Sequence, residues 1–186
     1  RIEAGTFMIA AAITKGDVLV KGVKPGHLNC LIDILRDIGL DLKVKDESIK
    51  VRYKNKLRPI DITTLPYPGF PTDLQAQMTS LMAVTNGISV VTEKIYPERF
   101  IHTSELGRMG ADIKLEGSTA IVKGVKGLSG APVMASDLRA SAALILAGLV
   151  AKGWTQVSRI YHLDRGYERI EKKLSLLGAR IWREQE

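Results

Sequence analysis

The 186-residue sequence has little of what several protein classes require. It contains a single cysteine, which excludes a framework of internal disulfides and fits a reducing cytoplasm. Its longest apolar run, residues 140–151, has 12 residues, whereas a membrane-spanning helix needs about 20. Its histidines, His27, His102 and His162, do not have the spacing of metal ligands. We therefore expect a cytoplasmic protein with no membrane segment, no metal and no cofactor.

The remaining composition is that of a globular protein. Hydrophobic residues make up 45% of the chain and charged residues 25%, and the length allows one domain with a sizeable core. We predict a single domain over residues 1–186.

The formal net charge of +7 raises the question of nucleic-acid binding. Many of the basic residues fall between Lys43 and Arg58, where Ile49, Val51 and Tyr53 alternate with lysine and arginine. This alternation is typical of a half-buried strand with a solvated basic face. The few aromatic residues do not interleave with the basic ones, as stacking on bases would require. The pattern favours small anionic substrates over nucleic acid.

A threefold repeat is the strongest internal signal. Helical stretches at residues 2–15, 73–86 and 138–152 each end at a glycine that β-like residues follow. A second helical stretch in each unit ends at another glycine, which comes 23, 23 and 25 residues after the first. A glycine just past a helix is a typical C-cap. The second stretches cover residues 28–38, 101–109 and 167–177.

Strands complete each unit. They are predicted after both helices and, in the second and third units, also before the first helix, so that the unit is βαβαββ. The units cover approximately residues 1–57, 58–126 and 127–186. The first lacks its opening strand, and the third lacks its closing strand and ends with the one predicted at 180–183. The pattern predicts an α/β fold with the apolar first helices at its centre. Since the chain begins in a helix without an initiator methionine, we expect a piece of a longer protein.

The stretch from residue 66 to residue 77 is the most informative one. Its prolines and glycine predict a rigid, extended approach to a helix. Thr72 and Gln75 have the spacing of a capping box, which would place Thr72 at the N-cap. Asp73 would then lie in the first helical turn, beside free amides. From spacing alone, a well-capped helix without a catalytic role explains this stretch.

Two further segments place charged residues at predicted helix starts. Asp137 begins the corresponding helix of the third unit, and Arg139 two residues later predicts a local ion pair. Arg165 precedes a glycine at the start of the last helix, which is typical of a phosphate or carboxylate site. Cys30 lies in an apolar helical segment and is interpreted as a small buried hydrophobe.

Three segments together resemble the signature segments of the UDP-N-acetylglucosamine enolpyruvyl transferases. They are Pro-Gly-Phe-Pro-Thr-Asp-Leu-Gln-Ala-Gln from residue 68, Ala-Ser-Asp-Leu-Arg-Ala-Ser-Ala from residue 135 and Asp-Arg-Gly-Tyr-Glu-Arg-Ile from residue 164. The resemblance covers essentially the whole chain. It implies the C-terminal half of an inside-out α/β barrel enzyme whose two domains, each of three βαβαββ units, face each other across the active site. It also implies that the missing opening strand comes from the N-terminus of the full protein.

The resemblance implies a reaction and roles for particular residues. The family adds the 3′-hydroxyl of UDP-N-acetylglucosamine to C2 of phosphoenolpyruvate and then eliminates phosphate, the first committed step of peptidoglycan synthesis. By the resemblance, Asp73 lies next to the attacking hydroxyl as its base, and Arg165 grips phosphoenolpyruvate. Asp137 and Arg139 match residues that line the cleft, and Ile95 matches a position whose backbone contacts the nucleotide sugar. The family's Lys-Asn pair and its cysteine loop, the fosfomycin target, are not in this chain, so we expect the half alone to be inactive.

Two alternatives stay open. One is a non-enzymatic RNA-binding module built on the same repeats, although acids at equivalent helix starts would repel phosphate. The other is a transferase like 5-enolpyruvylshikimate-3-phosphate synthase, which shares the repeated fold. The segment around Asp73 is unlike the motifs of that enzyme.

Overall fold

The computed structural model describes residues 1–184, in which helices and strands alternate in three successive units. The first unit contains α1 (Ile2–Ile13), β1 (Asp17–Lys21), a 3₁₀ turn (Pro25–His27), α2 (Asn29–Asp37), β2 (Asp41–Lys45) and β3 (Ser48–Arg52). Strand β3 lies in the middle of the sheet and pairs antiparallel with both β1 and β2. Strand β1 is therefore an edge strand of this sheet.

The second unit repeats this arrangement and adds one strand. It contains β4 (Ile62–Thr63), a 3₁₀ turn (Thr72–Leu74), α3 (Gln75–Ala83), β5 (Ile88–Thr92), α4 (His102–Arg108), β6 (Asp112–Glu116) and β7 (Thr119–Lys123). The strand order is β4-β5-β7-β6, with β4 parallel to β5 and the other pairs antiparallel. Strand β5 corresponds to β1 of the first unit. Strand β4 therefore pairs with the edge of β5 that is unpaired in β1.

The third unit contains β8 (Pro132–Met134), α5 (Leu138–Gly148), β9 (Gln156–Ser158), α6 (Tyr161–Asp164) and α7 (Ile170–Leu176). Strand β8 pairs parallel with β9, as β4 does with β5.

The strand predicted at residues 180–183 is wrong. This segment follows α7 without joining a sheet. Side-chain contacts hold it instead, because Trp182 packs edge-on against Trp154 and Arg183 forms ion pairs with Asp164 and Glu171. The alternating pattern of these residues marks a strand only where a neighbouring strand is available for pairing.

The first helix of each unit lies at the centre of the fold. Helices α1, α3 and α5 contact one another pairwise, and the side chains of α3 are buried all round. Small residues such as Ala76, Ala83, Ala143 and Ala147 lie in this core, where they let helix backbones approach closely. The predicted α/β fold with central first helices is confirmed. In the described residues, no helix is long and apolar enough to cross a membrane.

The basic strand has the two faces that the sequence predicts. Ile49 and Val51 of β3 are fully buried, whereas Arg52 is exposed on the opposite face. Lys50 and Arg52 both form ion pairs with Asp17 of the neighbouring β1, at 3.2 and 2.9 Å. Part of the basic charge of this sheet is therefore balanced within the sheet.

Of the six glycines predicted to end helices, all except Gly16 have a positive φ. Gly87 and Gly153 nevertheless do not cap their helices, because α3 ends at Ala83 and α5 at Gly148, several residues earlier. After α1 it is Lys15, rather than Gly16, that has a positive φ, at 57°. The chain reverses one residue early there, because the amide of Gly16 bonds back to the carbonyl of Ala11.

Candidate functional site

The start of α3 is a 3₁₀ turn, Thr72–Leu74, which the extended Pro71 precedes. The hydroxyl of Thr72 donates to Glu93 Oε2 at 2.9 Å and does not cap the helix. The side chain of Gln75 is fully buried, and within the described residues its amide has no hydrogen-bond partner. The predicted capping box is therefore wrong: Thr72 lies inside the 3₁₀ turn, and its hydroxyl oxygen accepts from Arg99 rather than from the backbone amide of Gln75. Asp73 does lie in the first turn.

Asp73 is the centre of an ion-pair cluster that three separate segments form. Its Oδ1 accepts hydrogen bonds from Arg99 Nη1 at 3.2 Å and from Arg139 Nε at 3.0 Å. The Arg139 side chain is only 16% exposed and that of Asp73 34%, so the cluster is partly shielded from water. Two guanidinium groups share this one carboxylate, while the nearby carboxylates of Glu93 and Asp137 are held by other donors. Guanidinium groups placed in this way can bind an anionic ligand beside a carboxylate. We call Asp73, Arg99 and Arg139 the Asp73 cluster.

Asp137 is the N-cap of α5 and holds the start of that helix. Its Oδ1 accepts from the amides of Arg139 at 2.6 Å and of Ala140 at 2.9 Å. The predicted local ion pair between Asp137 and Arg139 is wrong. Because the helix amides satisfy the Asp137 carboxylate, the Arg139 guanidinium extends to Asp73 on another helix. Asp137 thus fixes the backbone from which Arg139 reaches the cluster.

Ile95 lies in the turn that follows β5. Its amide donates to Glu93 Oε1 at 2.9 Å, and the amide of Tyr96 donates to the same oxygen at 3.0 Å. The Ile95 side chain is 43% exposed. The guanidinium of Arg99 lies over the ring of Tyr96, 5.3 Å from its centroid. Arg99 therefore connects this turn to the Asp73 cluster.

Arg165 does not lie at the start of the last helix. It follows α6, and α7 begins only at Ile170. The segment between α6 and α7 is held against α1, because the Tyr167 side chain is only 1% exposed and its hydroxyl is hydrogen-bonded to Thr6 of α1 at 2.8 Å. The predicted place of Arg165 at a helix N-terminus is therefore wrong, whereas its contact with an anion stays a prediction.

Arg165 nevertheless lies beside the start of α5. The backbone of Gly166 packs so tightly on Leu138 that an added Cβ would be 2.7 Å from Leu138 Cδ2. Arg165 itself is exposed, and within residues 1–184 it forms no ion pair. The structure thus brings Asp73 and Arg139 together and leaves the Arg165 guanidinium outside their cluster.

His102 is a buried neighbour of the site at the start of α4. The pKa of its imidazole is lowered to about 4, chiefly by burial. The carboxylate of Asp137 opposes this shift, and Arg99 adds to it. The imidazole is therefore neutral at pH 7 and adds no charge to the cluster.

Three of these residues were not predicted from the sequence: Glu93, Arg99 and His102. Arg99 lies in an irregular segment between β5 and α4, where no periodicity marks it. Glu93 directly follows an alternating strand, a position that is usually solvated. In the part of the chain that the structure describes, no three His, Cys, Asp or Glu side chains are grouped to hold a metal ion.

Comparison with known proteins finds relatives that are named as carboxyvinyltransferases. The family model "EPSP synthase (3-phosphoshikimate 1-carboxyvinyltransferase)" matches residues 1–174. The UDP-N-acetylglucosamine 1-carboxyvinyltransferase of Myxococcus xanthus is 58% identical over 185 residues, which cover 100% of this chain and 44% of that protein. The protein of the same name from Geotalea uraniireducens is 60% identical over 186 residues, 100% of this chain and 45% of its own length. The chain thus spans less than half the length of these relatives.

Solved structures share the fold. The enolpyruvyl transferase NikO from Streptomyces tendae has a TM-score of 0.85 at 27% identity and covers 96% of this chain and 42% of its own. EPSP synthase from Acinetobacter baumannii has a TM-score of 0.74 at 18% identity, over 97% of this chain and 43% of its own. The fold class predicted from the repeats is confirmed by these likenesses.

Proposed function

The chain belongs to the EPSP synthase family, and on this premise we propose that it is the C-terminal part of a UDP-N-acetylglucosamine 1-carboxyvinyltransferase. The observation that carries the proposal is the Asp73 cluster, a partly shielded carboxylate held between two guanidinium groups. The identity of 58–60% to relatives of that name favours the nucleotide sugar over 3-phosphoshikimate. The same identity to transferases over the whole chain disfavours an RNA-binding role.

The proposed reaction joins two substrates and releases phosphate. The sugar 3′-hydroxyl oxygen bonds to C2 of phosphoenolpyruvate, its proton passes to a base, and the methylene carbon gains a proton. The C–O bond to phosphate then breaks, and loss of a proton from the methyl carbon restores the double bond. In this scheme Asp73 accepts the hydroxyl proton and orients the hydroxyl for attack.

The remaining residues bind and orient charged groups. Arg165 contacts phosphoenolpyruvate, and Arg99 and Arg139 stabilise negative charge that develops near Asp73. Asp137 holds the start of the helix that carries Arg139. The backbone of Ile95 contacts the nucleotide sugar.

The proposed partners are UDP-N-acetylglucosamine, phosphoenolpyruvate and the other part of the same protein, in the cytoplasm. That part supplies a second three-unit domain with a proton-donating cysteine and a Lys-Asn pair, and the site lies between the two domains. The three units of this chain form the other domain. The boundaries between the units lie near residues 57 and 126.

The test measures phosphate release from phosphoenolpyruvate, driven by UDP-N-acetylglucosamine, in the full-length protein that contains this chain. Asp73→Asn keeps the size of the side chain and removes its basicity, so we expect a fall of about 100-fold or more in kcat. Asp112→Asn, on an exposed position of β6, is the matched control and should retain full activity. The chain alone should release no phosphate.

Two outcomes would contradict the proposal in different ways. Turnover with shikimate 3-phosphate but not with the nucleotide sugar would preserve the family and refute the substrate. Full activity of Asp73→Asn would refute the role of the carboxylate.

A further inference from the structure

Glu93 is a carboxylate that is fully buried, with 0% of its surface exposed. Its Oε1 accepts hydrogen bonds from Thr64 Oγ1 at 2.6 Å and from the amides of Ile95 and Tyr96 at 2.9 and 3.0 Å. Its Oε2 accepts from Thr72 Oγ1 at 2.9 Å. A buried carboxylate is costly unless donors satisfy it, and here four donors do so.

Hydrogen bonds alone hold this charge. None of the ion pairs formed within residues 1–184 involves Glu93. Thr64 strengthens the arrangement, because its hydroxyl donates to Glu93 and accepts from the amide of Lys94 at 2.8 Å. The turn after β5 is thus folded around the carboxylate.

A short chain of hydrogen bonds leads from Glu93 to the Asp73 cluster. The Thr72 hydroxyl, whose proton points to Glu93, accepts from Arg99 Nη1 at 3.2 Å. The same Nη1 donates to Asp73 Oδ1 at 3.2 Å. A hydroxyl has one proton and two lone pairs, so the acceptor that takes the proton determines which side can accept. Glu93 therefore orients the lone pairs of Thr72 toward Arg99.

We propose that Glu93 is a positioning residue, which fixes Arg99 against Asp73 through Thr72 and shapes the turn that carries Ile95. It acts without contacting the reacting atoms. The effect of Glu93 on the catalytic rate rests on the function proposed above. Its effect on the conformation of the backbone turn after β5 does not.

Glu93→Gln tests this role with almost no change in volume. The glutamine oxygen can take the place of Oε1 and keep its three donors. The NH₂ group then faces the Thr72 hydroxyl and donates to it, so that the hydroxyl proton loses its acceptor and has to point away from residue 93. The orientation of the Thr72 lone pairs is no longer fixed, and the contact of Arg99 with Thr72 and Asp73 loosens while the fold persists.

The first measurement is kcat and KM for both substrates in the full-length protein. We expect Glu93→Gln to lower kcat/KM by about 10- to 100-fold, the range for a misplaced catalytic group. Thr72→Val removes the linking hydroxyl and should give a similar loss of kcat/KM. The double variant, Glu93→Gln with Thr72→Val, should have the same kcat/KM as the less active of the two single variants. Thr72→Ser keeps the hydroxyl and should remain near the wild-type rate. Additive losses in the double variant would overturn the proposed link.

The second measurement is amide hydrogen exchange in the same protein. Glu93→Gln should speed exchange at Ile95 and Tyr96 relative to wild type and leave strand β6 unchanged. If glutamine prevents folding, Thr72→Val and Thr72→Ser still test the link by kinetics. Faster exchange throughout the chain, or a kcat/KM within twofold of wild type, would overturn the positioning role. If the wild type itself does not turn over, the proposed function fails, and exchange at residues 95 and 96 alone decides whether Glu93 shapes this turn.

Discussion

Lowering the pH from 7 to 5 is expected to destabilise the chain through His102. The side chain is 2% exposed, and burial lowers its pKa from 6.5 to about 4 in the folded state. Between these two values the unfolded chain binds a proton that the folded chain does not. The contribution of His102 to stability is therefore fully present above pH 6.5 and is lost as the pH falls toward 4.

The two pKa values give the size of the effect. The free energy of unfolding should fall by about 2 kcal/mol at pH 5 and by about 3 kcal/mol at pH 4 through this one group. Urea unfolding of the chain, followed by circular dichroism at several pH values, measures it. Carboxylates also titrate near pH 4, so a comparison of variants is needed to isolate the histidine.

The informative variant is His102→Gln. It is less stable than wild type at pH 7, but it should lose about 2 kcal/mol less than wild type between pH 7 and pH 5. His27→Gln, which replaces an exposed histidine, is the matched control. If His102→Gln shows the same loss as wild type over this range, the reasoning from burial is refuted.

Three further predictions concern single contacts in the fold, each measured by urea unfolding. Gly124→Ala should cost more than about 3 kcal/mol, because the new Cβ would overlap the carbonyl oxygen of Thr85, whereas Gly127→Ala, with open space at its Cβ, should be nearly neutral. Asp137→Ala should cost about 1 kcal/mol by removing the cap of α5, and an equal loss with asparagine would contradict this role. Tyr167→Phe should cost about 1–2 kcal/mol because its hydroxyl bonds to Thr6 and Gln77 in the core, and equal losses for the exposed Tyr161→Phe would argue against this cause.

The helices and most strands could be predicted because their signals are local. Runs of apolar residues lie within one element, and the apolar character of α1, α3 and α5 on all sides places them correctly at the centre. The strand at residues 180–183 failed for the opposite reason. An alternating pattern becomes a strand only beside a partner, and the sequence does not say whether one is present.

The candidate site was predicted only in part for a related reason. Asp73 could be placed in a helical turn from the residues around it. Its partners could not, because Arg99 lies 26 residues away along the chain and Arg139 lies 66 residues away. Glu93 was missed because a charged residue after a strand is usually exposed, and only the folded chain supplies its four donors.

The mutual contact of α1, α3 and α5 also limits how such a protein can evolve. In a linear repeat protein each unit touches only its neighbours, so that single units can be gained or lost. Here each central helix touches both of the others. Deletion of one unit would uncover two helices at once, and a fourth helix could not touch all three. Growth by gene duplication therefore has to add a complete body of three units.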